Sequence, residues 1–174
     1  MKEVRVKVLK IKRDKIEKKL LALGAIKTFE GEICASFFDI KEGQDKNNES
    51  KLIVRKIENK TLITVKKPIT NSAVEFREEY SFSTSDFHET KNIIKSLGLV
   101  EYESTRFHRA IYTLKDLTFK FDKYYDKYES VPEFFEIQAN DLDMIYEYAK
   151  LLGIKKNKCL LISTVELLKK FKKQ

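Results

Sequence analysis

Charged residues of both signs recur at every second position in one stretch of the chain after another. Glu3, Arg5 and Lys7 alternate with Val4, Val6 and Val8, the period of a strand with one charged and one apolar face. The same alternation puts Lys51, Arg55, Lys66, Glu75, Arg77, Glu79, Arg109, Lys120, Asp122, Glu136 and Gln138 on polar strand faces, opposite Val, Ile, Leu, Phe and Tyr. Cations gathered in this way hold a chain of phosphates. Carboxylates beside them hold a hard divalent ion, which bridges phosphate oxygens during phosphoryl transfer. A solvated face would mix in more Thr, Ser and Gln, whereas buried charges persist only when paired, hydrated or bound to ligand.

The elements that must position these residues follow from periodicity and punctuation. A strand over 3–8 precedes a helix from Arg13 to Leu23, closed by Gly24, and a strand over Ile33 to Ile40 comes next. Lys41 to Ser50 reads as an exposed loop. Lys51 to Arg55 and Thr61 to Lys66 form a hairpin around Glu58, Asn59 and Lys60, ended by Pro68. Residues 74–82 alternate, with Val74, Phe76, Tyr80 and Phe82 on the apolar face, and a helix from Asp86 to Leu97 ends at Gly98. Strands over Phe107 to Leu114, Leu117 to Phe121 and Phe134 to Gln138 precede helices over Leu142 to Leu152 and Ser163 to Lys172. Ser163 and Glu166 are spaced as a capping box. Strand, helix ending in Leu-Gly, then strands occurs twice, which marks two pseudo-repeated halves of one domain spanning 1–174. Alternation by itself admits an open sheet with one solvated face. It also admits an α+β fold in which about eight mainly antiparallel strands close into a barrel, helices outside and charges lining the interior.

Composition bounds the function. The 174 residues are 42% apolar and 36% charged, with five Gly and two Pro, an ordinary folded composition. Apolar runs stop far short of the roughly 18 residues of a membrane span, so a cytoplasmic protein is expected. Cys34 and Cys159 lie in apolar surroundings without metal-binding spacing and read as buried small hydrophobes. A net charge of +8 calls for a polyanionic partner, either nucleic acid or a phosphorylated small molecule. The segment Lys123-Tyr124-Tyr125-Asp126-Lys127-Tyr128 interleaves bases and aromatics as single-strand binders do, or is a loop with ordinary surface aromatics. Mixed signs on the strand faces argue against a nucleic-acid groove, which would be mostly positive. His88 and His108 have no catalytic partner pattern, and the chain has no P-loop or G-x-G-x-x-G.

The ordered set of motifs resembles the CYTH superfamily, the triphosphate tunnel metalloenzymes, which include class IV adenylate cyclases, thiamine triphosphatases and inorganic triphosphatases. Glu3-Val4-Arg5-Val6-Lys7 is similar to its ExExK signature, Phe37-Phe38-Asp39 to Tyr-Phe-Asp, and Lys51-Leu52-Ile53-Val54-Arg55 to Leu-Arg-x-Arg. Thr64-Val65-Lys66-Lys67-Pro68 resembles Thr-x-Lys-x-Pro, and Arg77-Glu78-Glu79-Tyr80-Ser81 resembles R-x-E-x-E. Arg109 with Tyr112, Phe121-Asp122 and Phe134-Phe135-Glu136-Ile137-Gln138 match K-x-R-x-x-Y, the strand-end aspartate and F-x-E-x-E. The resemblance covers essentially the whole chain. It implies an eight-stranded antiparallel tunnel in which Lys7, Arg55, Lys66, Arg77 and Arg109 hold triphosphate. It further implies that Glu3, Glu79, Asp122 and Glu136 hold Mg2+ or Mn2+, and that Glu3, Lys7 and Glu136 are catalytic.

Three acidic positions of the family pattern are replaced, by Arg5, Ser81 and Gln138. Arg5 would repel a divalent ion and supply instead a fixed guanidinium that grips phosphate bidentately. The expectation is a monomer or homodimer that binds a triphosphate-containing small molecule and hydrolyses it. A class IV type adenylate cyclase and a non-catalytic polyphosphate- or nucleic-acid-binding module stand as alternatives.

Overall fold

The computed structural model describes residues 4–39, 51–68 and 77–171. The 41–50 loop and the start of the 74–82 strand lie outside these residues. The elements are β1 (Val4–Leu9), α1 (Arg13–Ala22), β2 (Ile26–Asp39), β3 (Lys51–Ile57), β4 (Lys60–Pro68), β5 (Arg77–Thr84) and α2 (Phe87–Ser96), followed by β6 (Val100–Leu114), β7 (Leu117–Tyr124), β8 (Phe134–Ala139), α3 (Leu142–Leu151) and α4 (Thr164–Phe171). The eight strands run in the order β1-β8-β7-β6-β2-β3-β4-β5, and the β1–β8, β2–β3, β3–β4, β4–β5, β6–β7 and β7–β8 pairs are antiparallel.

The internal repeat is a strand, a helix and three strands, with β1, α1, β2, β3 and β4 matching β5, α2, β6, β7 and β8. Exchanging equivalent strands reverses the sheet order and leaves it unchanged. Both helices end alike. Ala25 N–H donates to Leu20 O (2.9 Å) and Gly24 N–H to Leu21 O (3.0 Å), while Leu99 donates to Ile94 O (3.4 Å) and Gly98 to Lys95 O (3.0 Å). The two glycines sit at φ +88° and +87°, where a Cβ would be strained. After each cap comes a strand longer than alternation predicts: β2 begins at Ile26, not Ile33, and β6 at Val100, not Phe107. Most residues in these extensions are exposed or half-buried, so no apolar period marks them.

The chain divides into two compact units, residues 32–106 and residues 2–31 with 107–174. In the second, Val4, Val6, Val8, Phe119, Phe121, Phe135 and Ile137 form a buried face against Ile16 and Leu20 of α1 and Ile145 and Ala149 of α3. Arg13 fastens the start of α1 through Glu17 (3.0 Å), Glu30 (2.5 Å) and Glu133 (3.3 Å). The outer edge of β1 is bridged by Leu160, whose N–H donates to Lys7 O (2.8 Å) and whose carbonyl accepts from Lys7 N–H (2.9 Å). The expected capping box forms, with Glu166 N–H donating to Ser163 Oγ (3.2 Å) and Ser163 N–H to Glu166 Oε2 (2.7 Å).

In the first unit, Phe38, Val54 and Ile94 form the buried centre, with Leu52, Ile63 and Phe87 around them. The expected burial of Tyr80 and Phe82 is not observed: they are 59% and 61% exposed, because α2 covers β2, β3 and β4 and leaves the outer residues of β5 in solvent. Cys34 and Cys159 are half-buried rather than buried. No helix among the described residues is long and apolar enough to cross a membrane.

Glu101, at the start of β6, joins Lys91 (2.8 Å) and Lys95 (2.7 Å) of α2. Burial opposes ionisation, but hydrogen bonds from Lys91, Lys95 and Ser36 outweigh it and hold the carboxyl at about 2. A depressed folded value gives stability that is present above the unfolded value near 4.5 and lost as pH falls through about 2. Glu101→Gln is therefore expected to cost about 1 kcal/mol at pH 7. Urea midpoints measured across pH for both proteins should differ at neutrality and converge near pH 2.

Candidate functional site

The unit of residues 2–31 and 107–174 turns one sheet face to its helices and gathers charge on the other. The β1–β8 register places Lys7 opposite Glu136 and Arg5 opposite Gln138, and the β7–β8 register places Lys120 opposite Glu136. Glu136 thus lies between two lysines, with Lys7 Nζ 2.8 Å from Oε2 and Lys120 Nζ 3.2 Å from Oε1. Lys7 also donates to Ile162 O (3.2 Å), and Lys120 donates to Gln138 Oε1. One strand further, Arg109 grips Asp122 in a fork, Nε to Oδ1 and Nη2 to Oδ2, both at 2.6 Å.

Aromatic rings close one end of this face. Phe107 stacks on Tyr124 with centroids 4.7 Å apart, and Tyr124 lies 6.0 Å from Phe134. The Arg109 guanidinium carbon lies 4.9 Å from the Phe107 ring centroid, so a stack and a fork fix one side chain. Tyr124 and Tyr128 are each 4% exposed, which corrects the reading of that segment as surface aromatics: alternate residues of β7 and the turn after it pack inward.

Burial and charge compete within the cluster. Burial would push the Glu136 carboxyl up, but Lys120, Lys7, Arg5 and Arg109 hold it well below the usual carboxylate range. Burial pulls the Lys120 ammonium below the ordinary lysine range; Glu136 resists, and Arg109 and Arg5 add to the pull. Burial likewise disfavours the Arg109 charge, and Asp122 outweighs it. Among the described residues, four cations, Arg5, Lys7, Arg109 and Lys120, therefore meet two carboxylates, Asp122 and Glu136.

The unit of residues 32–106 carries a smaller polar set. Arg55 Nη1 donates to Thr64 Oγ1 (3.3 Å), and Ser81 Oγ donates to the same oxygen (3.0 Å). Lys66 pairs in register with Glu79, and Pro68 with Arg77. The side chains of Lys66, Arg77 and Glu79, and all of Glu3, lie outside the described residues. Of the expected site residues, Arg5, Lys7, Arg109, Asp122 and Glu136 are thus brought together in one unit, and Arg55 belongs to the other. Lys120 has no role in the family resemblance, yet it stands at the centre of the cluster. Its signal was its place on the polar face of β7, two residues before Asp122.

CYTH enzymes typically depend on a divalent metal. Of the four acidic groups expected to hold it, Glu3 and the Glu79 side chain lie outside the described residues, and Asp122 and Glu136 do not fit one. Both oxygens of Asp122 accept from Arg109, both of Glu136 are taken by lysines, and no group of three or more His, Cys, Asp or Glu side chains is placed to hold an ion among the described residues.

Solved proteins share this architecture. The PH1012 protein of Pyrococcus horikoshii OT3 matches with a TM-score of 0.75 at 25% identity, covering 95% of this chain and 98% of that one. A putative adenylate cyclase of Vibrio parahaemolyticus gives 0.73 at 15% identity over 97% and 98%. The putative adenylyl cyclase HpAC1 of Hippeastrum, which has a dominant triphosphatase activity, gives 0.63 at 15% over 99% and 96%. The α+β tunnel-like fold implied by the family resemblance is theirs as well, although among the described residues the sheet runs from β1 to β5 without closing. None of the curated proteins matches the sequence. A match to the CYTH domain extends over residues 1–144, most of the chain, and so this protein belongs to the CYTH domain family.

Proposed function

We propose that the protein binds the triphosphate chain of a small molecule through Arg5, Lys7, Arg109 and Lys120, and that it is a weak triphosphatase. The observation that carries this reading is the gathering of Arg5, Lys7, Arg109 and Lys120 around Asp122 and Glu136 on one sheet face, among the described residues. Preorganised donors lose little entropy when they engage an anion, and a fixed Arg fork matches phosphate geometry. Arg55, Lys66 and Arg77 are further phosphate contacts in this reading, by the family pattern they share. Ligands in this class are inorganic triphosphate, nucleoside triphosphates and thiamine triphosphate.

Weak turnover follows from the same residues. Arg5 and Gln138 stand where the family pattern has carboxylates, which weakens metal-assisted phosphoryl transfer and leaves anion binding intact. Cyclisation of ATP demands closer placement of metal and ribose, so hydrolysis is the favoured activity. A nucleic-acid module is disfavoured, since Tyr124 and Tyr128, the aromatics that would stack on bases, are buried against Phe107, Phe134 and each other.

Calorimetric titration with tripolyphosphate should show binding, and Lys120→Met should weaken it about 10- to 100-fold, the usual worth of a hydrogen bond to a charged group. Random RNA in a gel shift should be displaced by tripolyphosphate; RNA binding that resists this competitor would refute the reading. Phosphate release from tripolyphosphate, ATP and thiamine triphosphate should exceed cyclic AMP formation from ATP, and the reverse ratio would make the protein a cyclase.

A further inference from the structure

We infer that the cluster of Arg5, Lys7, Arg109 and Lys120 takes up its triphosphate without a divalent metal, the protein's own cations supplying the charge that an ion would bring. The inference rests on the triphosphate-binding reading and concerns how that site is charged.

Three observations carry it. The first is order of access: the side chains of Lys120 and Arg109 keep 14% and 20% of their surface exposed, while those of Glu136 and Asp122 keep 4% and 1%. An arriving ligand meets Lys120 and Arg109 first, with the carboxylates and the fully buried Lys7 behind them. A polyanion is attracted by that arrangement and a divalent cation is repelled.

The second is how the acidic oxygens are used. A hard cation such as Mg2+ asks for about six oxygens in a regular shell. Here both oxygens of Asp122 and both of Glu136 accept from cationic side chains, at 2.6 Å for each oxygen of Asp122 and at 2.8 and 3.2 Å for those of Glu136. The amide oxygen of Gln138 accepts from Lys120 as well. Binding an ion through these oxygens would break several charge-assisted bonds and leave buried cations uncompensated.

The third is position. Arg5 faces Gln138 across the β1–β8 ladder, one ladder step along the same face from Lys7 and Glu136. Two strand positions at which carboxylates would draw an ion therefore carry a cation and a neutral amide. Glu136 and Asp122 then serve as internal counter-ions that hold Lys7, Lys120 and Arg109 in place until phosphate oxygens share their remaining donors.

The test compares tripolyphosphate titrations of the full chain in EDTA and in millimolar Mg2+, alongside Mn2+ titrated into the protein alone and followed by the paramagnetic resonance of the free ion. The expected result is an affinity in EDTA that equals or exceeds that in Mg2+ within about 3-fold, and no Mn2+ uptake by the protein alone. The double variant Arg5→Glu, Gln138→Glu, checked for folding by circular dichroism, should lose about 10-fold or more of its affinity in EDTA and regain it with Mg2+. Binding by the unaltered protein that requires Mg2+, or Mn2+ uptake without triphosphate, would overturn the inference and leave the triphosphate reading standing. Absence of binding in both buffers would overturn both.

Discussion

A lysine with no solvent exposure lies between two strands, and its only acceptors among the described residues are one carboxylate and one carbonyl. Lys7 and Glu136 are 2.8 Å apart with side chains 0% and 4% exposed. Losing one member of such a pair costs roughly 3–5 kcal/mol, a large part of the roughly 5–15 kcal/mol that holds a domain folded. The register of β1 against β8 is therefore specified chemically. A slip of one residue would turn Lys7 into the hydrocarbon face and bring Val6 among the charges. Lys120 depends on the same carboxylate, and Glu136 stays ionised because cations crowd it, so the cluster is cooperative.

The two repeated halves share one topology, each a strand, a helix capped at a left-handed glycine, and three strands. The two compact units, each of which draws strands from both halves, differ in chemistry. In the unit of residues 2–31 and 107–174 the polar face holds opposed charges in close pairs. In the unit of residues 32–106 the described polar contacts around Thr64 are an arginine and two hydroxyls. One architecture accommodates both because the helix-facing side chains, not the polar ones, determine packing. The apolar face can stay constant while the opposite face changes its chemistry.

Much of this was legible in the sequence, for physical reasons. Period-two alternation marks β1, β7 and β8 because one face of each is buried completely, and Gly24 and Gly98 mark helix ends because the left-handed cap requires them. The capping box at Ser163 and Glu166 was equally plain. The first seven residues of β2 and of β6 were not, since side chains there are largely solvated and backbone pairing leaves no compositional trace. Tyr80 and Phe82 resemble buried strand residues, but α2 meets β5 at Thr84, through Thr90, and leaves both rings exposed. Charge pairing is the deepest loss. The sequence places Arg109, Lys120, Asp122 and Glu136 on polar faces, but only the cross-strand registers show that the carboxylates are already engaged and that Lys120 belongs at the centre.

The bridge between Leu160 and Lys7 separates two meanings of a domain boundary. The CYTH match ends at residue 144, yet both backbone groups of Lys7 bond to Leu160 and its ammonium bonds to the carbonyl of Ile162. A chain cut where the family's common sequence ends would bare a strand edge open to pairing with another molecule and take an acceptor from the most deeply buried cation. The segment beyond α3, outside the CYTH match, is thus the clasp on the outer edge of the first strand. A segment that comparison of sequences would discard as an appendage is, electrostatically, part of the first strand.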